Sequence, residues 1–255
     1  MVGSMTPDRI ISVCIGIRNQ AHLIPYTLDS IYAQNISGYE LEVIVTDDGS
    51  DDGVSEILDR YPLTHLYLEN HTYHNGVYAK NSSLKSAHGD LIIQQSADVI
   101  HSTTNVIKSL VEALPGRRAT FASVHNYHRD KGIADDFQYT GLANRRPFFF
   151  LGACYREDVC SVGGYDPLLG DVVYYDDNWH ADCLLNTCHV KPLFLEVVGW
   201  HQNHDRCIYD TAPAKSVYYR LLREAVEGKI KYISSSGPWP YIPGRSVAEI
   251  DRGAI

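Results

Sequence analysis

The chain has no apolar run long enough to span a bilayer and no leader-like pattern at its start. Positive charge is scarce: 22 Lys and Arg stand against 31 Asp and Glu, a net charge of -9. Proteins that bind nucleic acid generally need clustered cations against phosphates, so nucleic acid is not expected as a partner. The six cysteines, Cys14, Cys154, Cys160, Cys183, Cys188 and Cys207, contain no CxxC pair. They read as reduced, mostly buried thiols of a cytoplasmic protein, with one or two disulfides as the alternative. Internal repeats and low-complexity segments are missing. Phe is rare, with 6 against 18 Tyr. Tyr stacks well on sugars and bases, but half-buried packing explains such a bias equally.

What remains is an ordinary globular composition, 44% hydrophobic and 21% charged over 255 residues. That length suits one large domain, or one with an added subdomain. Residues 1–8, opening MVGSM, read as a disordered N-terminus or a cloning scar. The folded domain is expected over 9–232, and the Ser-, Gly- and Pro-rich segment 233–255 as an extended tail, wrapped or loose.

The chain is organised around residues 41–52, LEVIVTDDGSDD. A short apolar β run stops at Asp47 and Asp48, and a turn and a helix over 53–61 follow. The same strand-then-helix pattern is read at 10–17 and 23–32, 64–68 and 75–87, and 91–95 and 105–114. His88-Gly89 reads as a helix C-cap. This alternation predicts an α/β fold with a doubly wound sheet, whose ligands bind at the carboxyl edge of the strands. The second half is less regular. Strands are expected at 119–124, 148–155 and 193–200, helices at 178–188 and 214–227, and a mobile polar loop at 126–146.

Four polar clusters punctuate strand ends: Asp47-Asp48, Ser96-Ala97-Asp98, Asp176-Asp177, and His201 with His204. Carboxylates and imidazoles converging from separate strands can build a divalent-metal or acid–base site. Taken singly, each has a plainer reading as turn, helix-cap or packing residues.

The order of these segments resembles family 2 glycosyltransferases over about residues 9–207. The segments are ISVCIGIRN, EVIVTDDGSDD, HNGVYAKNSSLKSAHGD, LIIQQSADVI, FFFLGACYREDVCSVGGYDP, YYDDNW and VVGWHQNH. The resemblance implies a GT-A fold: one Rossmann-like mixed sheet flanked by helices, with a less regular acceptor-side C-terminal half. It also implies a metal-dependent, inverting hexosyltransferase of polysaccharide biosynthesis. The donor would be a nucleotide sugar, UDP-linked in the first instance, and the acceptor a saccharide or other hydroxyl. By the same resemblance, Asp47 would bind the base, with the backbone of Ile15 and Ile17 and with Arg18 lining that pocket. Asn75, Gly76 and Lys80 would lie along the nucleotide, and Ser96 and Ala97 beside the ribose. Asp98, His201 and His204 would hold Mn2+ or Mg2+. Asp177 would be the general base with Asp176 beside it. Gly152, Gly164, Tyr165, Asp166 and Trp179 would form the acceptor side. Two positions depart from the family pattern: Ser96 replaces the first carboxylate of its DxD motif, and Val99 replaces a frequent third acidic residue. A weakened sugar- or nucleotide-binding relative without catalysis is the first alternative. A sugar-nucleotidyltransferase ranks lower, because its Gly-rich basic loop has no counterpart in residues 10–19, which hold only Gly16.

Overall fold

The computed structural model describes residues 10–69, 75–116, 118–204 and 209–252. The N-terminal segment and Cys207 lie outside these. Strand β1 (Ile10–Ile17) is central. Its β-branched residues fill both faces of a pleat that is buried almost throughout. It pairs in parallel with β2 (Glu40–Asp47) on one side and β4 (Leu91–Gln95) on the other. Strand β3 (Thr64–Tyr67) extends the parallel part beyond β2. Past β4 the sheet becomes mixed. Strand β8 (Leu151–Tyr155) runs antiparallel to β4 and to β6 (Arg118–His128). Strand β9 (Lys191–Gln202) is parallel to β6, and β5 (Val99–His101) runs antiparallel to β9. The order is β3-β2-β1-β4-β8-β6-β9-β5, with β7 (Ile133–Thr140) paired to β6.

Alternation along the strands feeds one apolar layer on each face. Ile11, Val13, Ile15, Val43, Val45 and Ile93 join a core covered by α1 (Ile24–Tyr32), α2 (Val54–Leu58) and α4 (Val106–Glu112). Cys14, Ile44 and Ile92 turn the other way, under α3 (Val77–Ser86), α5 (Arg156–Val162), α6 (Asp176–Thr187) and α7 (Ala212–Val226). Each fully buried Ile or Leu contributes about 1.5–3 kcal/mol. These two layers hold the carboxyl ends of β1, β2 and β4 in register. Pro25 sits in the first turn of α1, where a missing N–H costs nothing. At Gly16, α3 packs so close that a Cβ would stand 3.1 Å from the Ala79 Cβ and from the Lys80 nitrogen. That contact brings Lys80 to the sheet edge.

Several expectations need correction. Residues 126–146 are not a loop throughout. Strand β6 runs on to His128, and Ile133–Thr140 returns as its hairpin partner. Helix α6 begins at Asp176, so the acidic pair occupies its first turn. Gly89 does not cap α3 in a left-handed conformation. The helix ends at Ser86 with Ala87 extended, and Gly89 is needed because a Cβ would lie 2.5 Å from the Ile10 carbonyl oxygen. The tail is a wrap, ending in α8 (Val247–Arg252). Buried Arg156 donates to the carbonyls of Arg245 (2.6 Å) and Ile242 (3.1 Å) while pairing with Asp90 at 3.0 Å. The Trp239 backbone N–H donates to the Cys160 carbonyl at 2.8 Å. Cys14, Cys154, Cys160, Cys183 and Cys188 are buried free thiols.

Candidate active site

At the carboxyl edge of β1 and β4 lies an open cleft of about 150 Å³, whose lining includes Gly16, Gln20, Lys80, Ser96, Asp98 and Tyr165. Two ionisable clusters meet it.

The first is Asp98, His201 and His204, whose ligand-capable atoms all lie within 4.8 Å of one another. Asp98 follows the turn after β4, where the Val99 N–H donates to the Ser96 carbonyl at 3.2 Å. His201 is near the end of β9 and faces Val99 across the antiparallel β5–β9 ladder. The Nε2 atoms of His201 and His204 stand 3.4 Å and 3.2 Å from the same Asp98 oxygen, Oδ2. Gln20 Nε2 donates to it at 3.2 Å. The other oxygen, Asp98 Oδ1, is buried with no hydrogen-bond partner among the described residues, as is His201 Nδ1. Burial opposes the Asp98 charge, but the two imidazoles outweigh it and hold the carboxyl below its ordinary value. Burial pushes His201 down, toward the neutral imidazole that a metal needs. One carboxylate, two imidazoles and a carboxylate oxygen left without a partner fit a divalent cation of the Mn2+ type. The His201 ring stacks on Tyr139 at 4.3 Å between centroids, and Phe150 meets it edge-on at 5.9 Å.

The second cluster is Lys80, Asp176 and Asp177. Lys80 Nζ is 2.6 Å from Asp176 Oδ2 and 3.4 Å from Asp177 Oδ1. It also stands 4.6 Å from the centre of the Tyr165 ring. The two carboxylates are driven apart. For Asp176, burial raises the pKa, but Lys80 and hydrogen bonds that include Asn75 leave it lowered. For Asp177, burial and the neighbouring Asp176 charge outweigh Lys80 and leave it raised. A split of this kind makes the two carboxylates inequivalent, with Asp176 held by Lys80 at 2.6 Å and Asp177 more loosely at 3.4 Å. Tyr174 and Tyr175, just before them, are both held at positive φ, 78° and 67°.

The remaining positions singled out in the sequence separate into cleft and support. Ile15 and Ile17 are buried, and only their backbone reaches the strand end; Arg18 is exposed. Asp47 spends both oxygens on its own loop, accepting from the Ser50 N–H at 2.9 Å and the Ser55 hydroxyl at 2.8 Å. Asp48 is 3% exposed, and its N–H donates to the Ile17 carbonyl at 2.8 Å. The Asn75 side chain donates to the Leu169 carbonyl at 3.0 Å, and Gly76 sits open at the start of α3. Ala97 is buried, and its carbonyl accepts from Thr27 at 2.7 Å.

Of the acceptor-side set, only Tyr165 lines the cleft. Gly152 is mid-strand, where a Cβ would stand 2.9 Å from the Phe121 ring. Asp166 and Trp179 are 1% exposed, and Asp166 accepts from the Trp179 indole at 3.1 Å and from Ser235 of the tail. Gly164, at φ +65°, lies under the Trp239 ring. These residues hold the wall on which Tyr165 stands. The sequence reading missed Gln20 and Tyr139. Gln20 had a signal, being a polar residue just past a buried strand. Tyr139 had none, because its strand was read as loop.

Comparison with curated proteins found no match. Among solved structures, S. aureus TarS 1-349 in complex with UDP-GlcNAc is 16% identical with a TM-score of 0.66, covering 85% of this chain and 66% of that one. The mannosyltransferase PcManGT from Pyrobaculum calidifontis, in complex with GDP-Man and Mn2+, is 21% identical with a TM-score of 0.56, covering 87% and 64%. The chain spans 60% of another TarS 1-349 structure, at 16% identity and a TM-score of 0.58. These likenesses show the fold, GT-A. The family model for glycosyl transferase family 2 matches residues 12–168, more than half of the chain, and the protein belongs to that family.

Proposed function

We propose that the protein transfers a sugar from a nucleoside-diphosphate donor, UDP-linked in the first instance, to a hydroxyl of a saccharide, with inversion and with a divalent metal. One observation carries this reading. Lys80 and Asp98 line the same cleft, and Lys80 ties the Asp176-Asp177 pair to it. A metal position and a candidate base therefore address one space. The donors bound by the two neighbours, UDP-GlcNAc and GDP-Man, support the donor class.

In this reading the base lies against the ends of β1 and β2, between the backbone of Ile15–Ile17, Arg18 and the loop that Asp47 braces. Ser96 offers its hydroxyl to the ribose, with Ala97 beside it. Asn75 and Gly76 frame the start of α3, whose open amides favour anionic groups. Asp98, His201 and His204 would hold Mn2+ or Mg2+, with the two imidazoles favouring Mn2+. The bound cation would neutralise charge on the diphosphate leaving group. Asp177 accepts the acceptor's proton as its oxygen bonds to the anomeric carbon and the bond to the diphosphate breaks. Lys80 holds Asp176 and steadies this arrangement. The reading places the enzyme in the cytoplasm, in polysaccharide biosynthesis.

A thermal-shift panel of UDP-, GDP-, CDP- and TDP-sugars with and without Mn2+ tests the donor class. Stabilisation by one nucleotide series, larger with Mn2+, is expected, because a ligand that binds only the native state raises Tm. No shift with any of them at millimolar concentration would refute the proposal.

A further inference from the structure

We propose that Tyr139 is a positioning residue for the metal site, its ring face fixing the His201 imidazole in place of the outer-shell hydrogen bond that a ligating histidine ordinarily makes. This rests on the metal reading above and adds a residue to it. An imidazole that ligates through one nitrogen usually donates the N–H of the other to a carbonyl or carboxylate, which fixes its tautomer and orientation. Here Nε2 of His201 stands 3.4 Å from Asp98 Oδ2, so Nδ1 is the outer nitrogen. It is buried and has no hydrogen-bond partner among the described residues. The ring therefore has to be held through its faces.

Tyr139 lies nearly parallel to the imidazole, 4.3 Å between centroids and 21° between planes. The other rings are farther away, His204 at 5.6 Å and Phe150 at 5.9 Å. Tyr139 is itself held from several sides. Phe137 meets it edge-on at 4.9 Å, and Phe150 tilts against it at 5.0 Å. Its hydroxyl donates to Asn126 Oδ1 at 3.4 Å, and its carbonyl accepts from the Asn144 side chain at 2.9 Å. Asn126 is the residue opposite His201 in the β6–β9 register. Tyrosine and histidine are thus referenced to one point of the sheet. Stacking fixes the plane of the imidazole. The approach of Nε2 to Asp98 then selects which edge of the ring faces the cluster. This gives β7, a strand exposed over most of its length, a task at the site.

The test is electron paramagnetic resonance of Mn2+ on the full chain with UDP. The free-ion signal gives Mn2+ affinity, and spin-echo modulation by nitrogen reports imidazole ligation. Wild type should show a nitrogen coupling that His201→Ala diminishes. Tyr139→Leu and Tyr139→Ile refill the space without a ring face. They should lose the same component and weaken Mn2+ binding about tenfold or more, as loss of an outer-shell partner does. Tyr139→Phe should keep both, because the face and not the hydroxyl holds the imidazole. UDP affinity in chelator should match wild type in every variant, which shows that the cleft is folded; the two aliphatic variants keep the comparison open if one of them fails to fold. Full nitrogen coupling and Mn2+ affinity in a folded aliphatic variant would overturn the positioning role and leave the metal site standing. Loss of both in folded Tyr139→Phe would overturn it as well. Absence of imidazole coupling in wild type would remove the metal reading and the positioning role together.

Discussion

Asp177→Asn keeps the shape of the side chain and removes its ability to take a proton. Little else should change. Lys80 keeps its 2.6 Å contact with Asp176 and loses only the 3.4 Å one. The Lys80 and Asp177 side chains are 32% and 24% exposed, so the lost pair is worth under about 1 kcal/mol. A general base accounts for about two to four orders of magnitude in rate, or roughly 3–5 kcal/mol of barrier. Transfer at saturating donor and acceptor should fall by that factor, while UDP affinity by calorimetry and Tm stay near wild type. The pH profile supplies an independent check. Burial and the Asp176 charge hold Asp177 above the ordinary carboxylate value of 3.8. The active form is the carboxylate, so the rate should fall as pH drops through that raised pKa, and the acid limb should vanish in the variant. Near-normal transfer by Asp177→Asn would refute the assignment. Asp176→Asn should behave differently. It removes the close partner of Lys80 and should cost about 1–3 kcal/mol of stability.

Gly164→Ala should lower stability by about 2–4 kcal/mol in thermal unfolding, since its Cβ would meet the Trp239 ring at 2.2 Å from a backbone at φ +65°. A variant as stable as wild type would show that the tail does not press on this wall. His88 bridges Glu42 at 2.7 Å and Glu249 of α8 at 3.3 Å. Burial lowers its pKa, but the two carboxylates outweigh that and leave it raised above 6.5. Its stabilisation of α8 is therefore full below pH 6.5 and lost as pH rises through the folded value. Hydrogen exchange of α8 amides, corrected for the intrinsic rate, should increase across that window in wild type and show no such step in His88→Ala.

The parallel half of the fold was legible because its strands are continuous apolar runs closed by polar turns, as in IISVCIGI and ELEVIVTD. The antiparallel half was not. IADDFQYT of β7 carries Asp135 and Asp136 and is largely exposed, so its pairing with β6 is held by the backbone ladder rather than by apolar burial. Strand β5 has only three residues, too few for any period. Strand-end position suggested that the polar clusters converge, and the family resemblance singled out Asp98, His201 and His204, which do lie together although more than 100 residues separate Asp98 from the two histidines. Buried support was harder to read. Asp166 and Trp179 carry polar atoms that a sequence reading assigns to a ligand, whereas they satisfy each other and the tail. Likewise Asp47 ends a strand as a binding residue would, yet both its oxygens are taken up by Ser50 and Ser55.

The central claim is that Asp98, His201 and His204 bind the donor's diphosphate through a divalent cation. Calorimetric titration of UDP into the protein, in Mn2+ and then in chelator, tests it most directly, with Asp98→Ala as the control. Affinity should be at least tenfold higher with Mn2+, and that gain should disappear in folded Asp98→Ala. Equal UDP affinity in Mn2+ and in chelator would contradict the claim.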